Sequence, residues 1–131
     1  MWFNNDGKDV TLQFFFENQA IASMESFWWR RPSNLTLESV EETELTFISK
    51  NDFDALCNLY PDLKDGFMEI MLERMSNYAN LFLSRIKDNP RKRYDELLKE
   101  HPEIIQRIPQ HYIASYLGIT PISLSRLRNR K

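Results

Sequence analysis

The chain has 131 residues, enough for one ordinary domain or two small ones, and its 42% hydrophobic and 13% aromatic content supports a buried core and excludes global disorder. No stretch approaches the ~20 consecutive apolar residues that span a bilayer, and the start, Met1-Trp2-Phe3-Asn4-Asn5, lacks the basic-then-apolar run of a secretory signal. The net charge of -2 conceals an asymmetry: residues 1–84 carry six Lys/Arg against fourteen Asp/Glu, whereas residues 85–131 carry eleven against five, which points to a polyanion partner at the C-terminal end unless the surface is merely uneven.

Residues 1–50 read as strands. Asn5-Asp6-Gly7 is hairpin chemistry, because these residues tolerate the positive φ of tight turns. Val10, Leu12, Phe14 and Phe16 then alternate with Thr11, Gln13 and Phe15, the period of a half-buried strand. Leu35, Leu37, Leu45, Phe47 and Ile48 suggest two more strands around the acidic run from Glu38 to Glu44. A β unit this small has a thin core and open edges, so it needs partners. Trp28-Trp29-Arg30-Arg31 is either a cation–π or ligand-pocket element or a loop packed on the sheet.

Asn51-Asp52 can cap a short helix carrying Phe53, Leu56 and Leu59 that stops before Pro61. The single cysteine, Cys57, lies in this apolar pattern and reads as packing in a reducing cytoplasm. From Asp62 to about Ile86 the period is helical throughout. Met68, Met71, Met75, Tyr78 and Phe82 recur at alternating spacings of three and four, a heptad seam, with Leu63, Phe67, Ile70 and Leu81 widening the apolar face. That face fits a second copy of the same helix or, failing that, one buried core helix; an obligate homodimer is expected.

Asn89-Pro90 is an N-cap followed by proline at the first helical position, opening a helix with Tyr94, Leu97 and Leu98 inward and Arg91, Lys92 and Arg93 outward. His101-Pro102 ends it, and Glu103 to Ile108 forms another short segment. Residues 110–127 carry the most information. Ala114 sits mid-helix, where a small side chain lets a second helix cross closely, and Gly118 falls where a left-handed residue is needed. Thr120 caps the next helix, and Pro121 takes its first position. Leu124 and Leu127 face back toward Ile113, Ala114 and Leu117, leaving Ile122, Ser123, Ser125, Arg126, Asn129 and Arg130 outward. Arginine reads guanine bidentately, and hydroxyls and helix N-termini hold phosphates; a plain αα-hairpin also has a turn glycine, but the Ala, Gly, Thr-Pro, Leu, Leu spacing with a basic end points to a DNA-reading helix pair.

The run from Tyr112 through Leu117-Gly118-Ile119-Thr120-Pro121, then Leu124-Ser125-Arg126-Leu127-Arg128, resembles the DNA-binding end of the cyclic-AMP receptor protein/Fnr superfamily, in the branch common in Bacteroidetes-type bacteria. Arg93-Tyr94, Leu97-Leu98 and His101-Pro102 match that branch as well, and the acidic stretch from Glu41 to Ile48, leading through Asp52-Phe53 into a long helix, resembles the family's passage from sensor to dimer helix. The resemblance implies an α+β fold: a partial, cyclic-nucleotide-binding-like β-roll over residues 1–52, a short helix plus a long dimerisation helix over 53–88, and a helix-turn-helix domain over 89–131. It implies a cytoplasmic transcription regulator that binds a two-fold symmetric operator in double-stranded DNA as a homodimer, with RNA polymerase as a candidate further partner. By position Pro121, Ile122 and Arg126 would face bases, with Thr120 and Ser123 near phosphates.

Three departures bear on these expectations. The roll is short, either because the coding sequence is truncated or because this form lives with half a roll. The stretch from Phe15-Phe16-Glu17 to Arg30-Arg31-Pro32-Ser33 lacks the Gly-Glu of the nucleotide cassette and sets Pro32-Ser33 near where its arginine belongs, so cyclic nucleotide binding is not expected. Ile122 stands where many members carry a base-reading glutamate, and the wing of a winged helix is absent or vestigial. No catalytic residue, cofactor or metal is expected: His101 and His111 have no neighbours at metal spacing, the three glycines are isolated, and Glu38, Glu41, Glu42 and Glu44 read as water-exposed rather than as a cation site. The rival reading is a dimeric protein-interaction remnant without specific DNA binding.

Overall fold

The computed structural model describes residues 1–129. Within them the chain is mixed α+β: strands β1 (Trp2–Asn5) and β2 (Lys8–Thr11), then helices α1 (Met24–Trp29), α2 (Lys50–Leu59), α3 (Asp62–Lys87), α4 (Pro90–Glu100), α5 (Pro102–Arg107), α6 (Gln110–Leu117) and α7 (Pro121–Asn129). The chain divides into two compact units, residues 1–42 with 87–131, and residues 43–86. No helix among the described residues is long and apolar enough to cross a membrane.

In the first unit, β1 and β2 form an open two-stranded antiparallel sheet in which Trp2 faces Thr11 and Asn5 faces Lys8. The two residues between them, Asp6 (φ 50) and Gly7 (φ 83), are both left-handed, the backbone of a tight hairpin turn and the chemistry expected of Asn5-Asp6-Gly7. The further strands expected over residues 1–50 do not form. Leu12 to Phe16 leave the sheet half-buried, and Phe14 and Phe16, two residues apart, pack against the helical core rather than on a third strand. Around Leu35 and Leu37 a single bridge remains, Trp2 opposite Thr36, closed by two backbone hydrogen bonds of 3.0 and 2.8 Å. Residues 24–29 coil into α1, whose Met24 and Phe27 are half-buried one turn apart, a helical spacing leading into the stretch read as a pocket element or a loop.

The core of this unit lies among the last four helices. Tyr94 and Leu97 of α4, Ile104 of α5, Ile108, then Ile113, Ala114 and Leu117 of α6 and Leu124 of α7 form one buried cluster, with Phe14 and Phe16 of the N-terminal segment packed on it. Asn89 accepts a hydrogen bond from the Lys92 amide at 3.0 Å and Pro90 follows it, so α4 begins as its sequence predicts.

In the second unit α2 is capped by Ser49, which accepts from the Asp52 amide at 3.1 Å; the cap lies two residues ahead of the expected Asn51-Asp52. Phe53 is buried against Phe67, with ring centroids 4.9 Å apart. Residues 43–48, expected as a strand, have no strand partner, and Leu45 and Phe47 are exposed, Phe47 by 87%. No residue of α3 is buried.

Candidate nucleic-acid interface

The turn between α6 and α7 is built from local chemistry. Gly118 adopts φ 68 and ψ 33, its amide donates to the Ser115 carbonyl at 3.0 Å, and the Ile119 amide donates to the Ala114 carbonyl at 2.9 Å. These two bonds make a Schellman cap, which satisfies carbonyls the helix leaves open and redirects the chain. Thr120 then accepts at Oγ1 from the Ser123 amide at 3.1 Å, and its Oγ1 lies 3.0 Å from the Ser123 hydroxyl. Pro121 opens α7 at no cost in hydrogen bonding. Ala114 and Leu124 are both fully buried, so the two helices cross where Ala114 has almost no side chain.

Two arginines of α4, expected to point outward, brace this pair. Arg93 donates from Nη2 to the Leu117 carbonyl at 2.9 Å and from Nη1 to the Asp88 carbonyl at 2.6 Å. Arg91 donates from Nη1 to the Leu127 carbonyl at 3.1 Å while its Nε holds Asp95 at 2.9 Å. A guanidinium at a helix C-terminus satisfies an open carbonyl and complements the negative end of the dipole.

The outer face of α7 is open. Ile122 is 66% exposed, and Pro121, Ser125, Arg126 and Asn129 are exposed, with Ser123 half-buried beside Thr120. Arg126 and Arg128 sit in the last turn. Arg130 and Lys131 lie outside the described residues. A shallow, open groove separates the start of α4 from α7, lined by Asn89, Pro90, Ser123, Arg126 and Leu127 among others. The arrangement presents one polar, cationic helix face beside hydroxyls, able to donate to phosphates and base edges.

The five seam residues of α3 recur at heptad spacing along the helix: Met71 is half-buried, Met68, Met75, Tyr78 and Phe82 are exposed, and Met75 reaches 69%. The Tyr78 hydroxyl is held above its ordinary pKa, first by partial desolvation and against the field of Arg74. Among the described residues no group of three His, Cys, Asp or Glu is placed to hold a metal ion.

Sequence reasoning missed Ser115 and Arg107. Ser115 Oγ donates to the Asp9 carbonyl and accepts from the Thr11 amide, each at 2.9 Å, which fastens β2 to α6. Arg107 holds two carboxylates more than sixty residues away, Glu17 and Glu41. Neither residue belongs to a local pattern, so no spacing announces it. No family model, curated protein or solved structure matches the chain.

Proposed function

We propose that the chain is a DNA-binding transcription regulator of the cyclic-AMP receptor protein/Fnr type, a binding module rather than an enzyme. In this reading α6 and α7 are a helix-turn-helix, and α7 lies in the major groove of a two-fold symmetric site. The observation that carries the reading is the capped turn at Gly118 and Thr120, which leaves an exposed α7 face bearing Ile122, Ser125 and Arg126 beside a fully buried Ala114–Leu124 crossing. The C-terminal concentration of Lys and Arg supports it through the electrostatic term that dominates nucleic-acid affinity. The hairpin and its bridge at Thr36 then stand for a reduced β-roll, α3 for the dimer helix, and RNA polymerase for a further partner.

The exposed seam of α3 is also what a protein-interaction remnant would present. A DNA reader sets the two α7 helices of its dimer roughly 34 Å apart on one side, and a remnant has no such constraint. The direct test is duplex binding by the wild type and Arg126→Ala across a salt series. Arg126 is exposed, so its removal spares the fold and costs about 1–3 kcal/mol of specific binding. Unchanged affinity and preference would remove Arg126 from the reading face.

A further inference from the structure

Arg107, the last residue of α5, is held by more acid than its own charge requires. Its Nη1 and Nη2 donate to the two carboxylate oxygens of Glu17 at 3.0 and 2.7 Å, and its Nε and Nη2 donate to those of Glu41 at 3.2 and 2.7 Å. The guanidinium also lies 5.2 Å from the centre of the Phe16 ring. One cation with two carboxylates leaves a net negative charge where the helical module would otherwise display an arginine. Ser115 supplies a second fastening through Asp9 and Thr11, and Phe14 packs on Tyr116 with ring centroids 5.3 Å apart. Glu38 accepts from the Trp2 indole at 2.8 Å, which ties the far end of the segment to β1.

The segment so fastened is acidic: residues 1–42 carry three Lys/Arg against seven Asp/Glu, whereas residues 87–131 carry ten against five. An acidic layer fixed to a basic module lowers the potential that a polyanion meets. The effect is electrostatic rather than steric, because Ile122 and Arg126 stay exposed. The clasp is itself partly open to water, with Arg107 at 37% side-chain exposure, so salt screens it and a competing anion can reach it.

We propose that residues 1–42 are an autoinhibitory cover, clasped to the helical module by Glu17 and Glu41 on Arg107, that weakens duplex DNA binding until the clasp opens. This rests on the DNA-binding reading above. Opening frees Arg107 for phosphate and lifts β2 from α6, the helix that carries the turn into α7.

The test compares two full-length double variants of equal charge, E17Q/E41Q in the clasp and E25Q/E42Q outside it. Affinity for a short mixed-sequence duplex is measured alongside amide hydrogen exchange at Thr11 and Leu12. The clasp variant is expected to bind about tenfold tighter and the control less than about threefold tighter at the same low salt. Thr11 exchange accelerates in the clasp variant alone, and salt accelerates it in the wild type but not in that variant. Equal tightening by both variants, or unchanged exchange in E17Q/E41Q, overturns the cover while leaving DNA binding intact. Failure of every form, wild type included, to bind duplex at low salt overturns the DNA reading and the cover with it.

Discussion

Arg93 on α4 donates from Nη2 to the carbonyl of Leu117, 2.9 Å away, and so holds the end of α6 at the point where the chain turns toward α7. A side chain that reads from sequence as part of a basic outer surface is thus a brace for the turn. Arg93→Met removes a charge-assisted, partly buried hydrogen bond to the Leu117 carbonyl and is expected to cost about 1.5–3 kcal/mol. Urea unfolding followed by circular dichroism measures it. A midpoint equal to that of the wild type would show that Arg93 does not brace the turn.

Gly118 tests the turn from the other side. A Cβ built there meets nothing within 4 Å, so Gly118→Ala brings no clash, only the strain of an L-residue at φ 68. The expected loss is about 1–2 kcal/mol of stability. An alanine variant as stable as the wild type would mean that the Schellman turn is not what sets the angle between α6 and α7.

These two residues show what was legible in the sequence and what was not. Gly118, Thr120 and Pro121 act on their immediate neighbours, so their spacing announced the turn, and Asn89-Pro90 announced α4 in the same way. The hairpin at Asp6-Gly7 was legible because positive φ is a local demand. Leu12 to Phe16 carry a strand signal because apolar alternation records burial, not its partner; Phe14 and Phe16 meet a helical core in place of a sheet. Leu45 and Phe47 carried the same strand signal but found no neighbouring edge. Arg93, Arg107 and Ser115 make contacts 24, 90 and 106 residues away in sequence, and nothing in a window of neighbours reports such pairings.

The clasp has a definite pH dependence. The hydrogen bond from Arg107, then a backbone hydrogen bond, draws the Glu17 carboxyl from its ordinary 4.5 down to about 2, and Arg107 lowers Glu41 as well. A carboxyl whose pKa is lowered by folding contributes stability that is present above the unfolded value and lost as pH falls through the folded one. The contribution of the clasp should therefore be complete above pH 4.5 and fade from there toward pH 2. An NMR titration of the Glu17 carboxyl carbon reads this directly, and a midpoint near 4.5 would contradict the pairing.

The α3 seam predicts self-association. Met75 and Phe82 lie seven residues apart on the same face, and both are more than three-fifths exposed. The wild type should sediment as a dimer at micromolar concentration, with Met75→Glu plus Phe82→Glu weakening association by about 2 kcal/mol or more. A compact wild-type monomer would remove the dimer from the account.

The central claim is that α7 reads DNA, and selection from genomic fragments tests it most directly. Fragments are bound to the wild type across a salt titration, recovered and sequenced. Affinity is expected to fall steeply with salt and a two-fold symmetric site to be enriched, its half-sites about one helical turn apart. Weak binding without any enriched sequence at every salt concentration would contradict that claim and favour the protein-interaction reading.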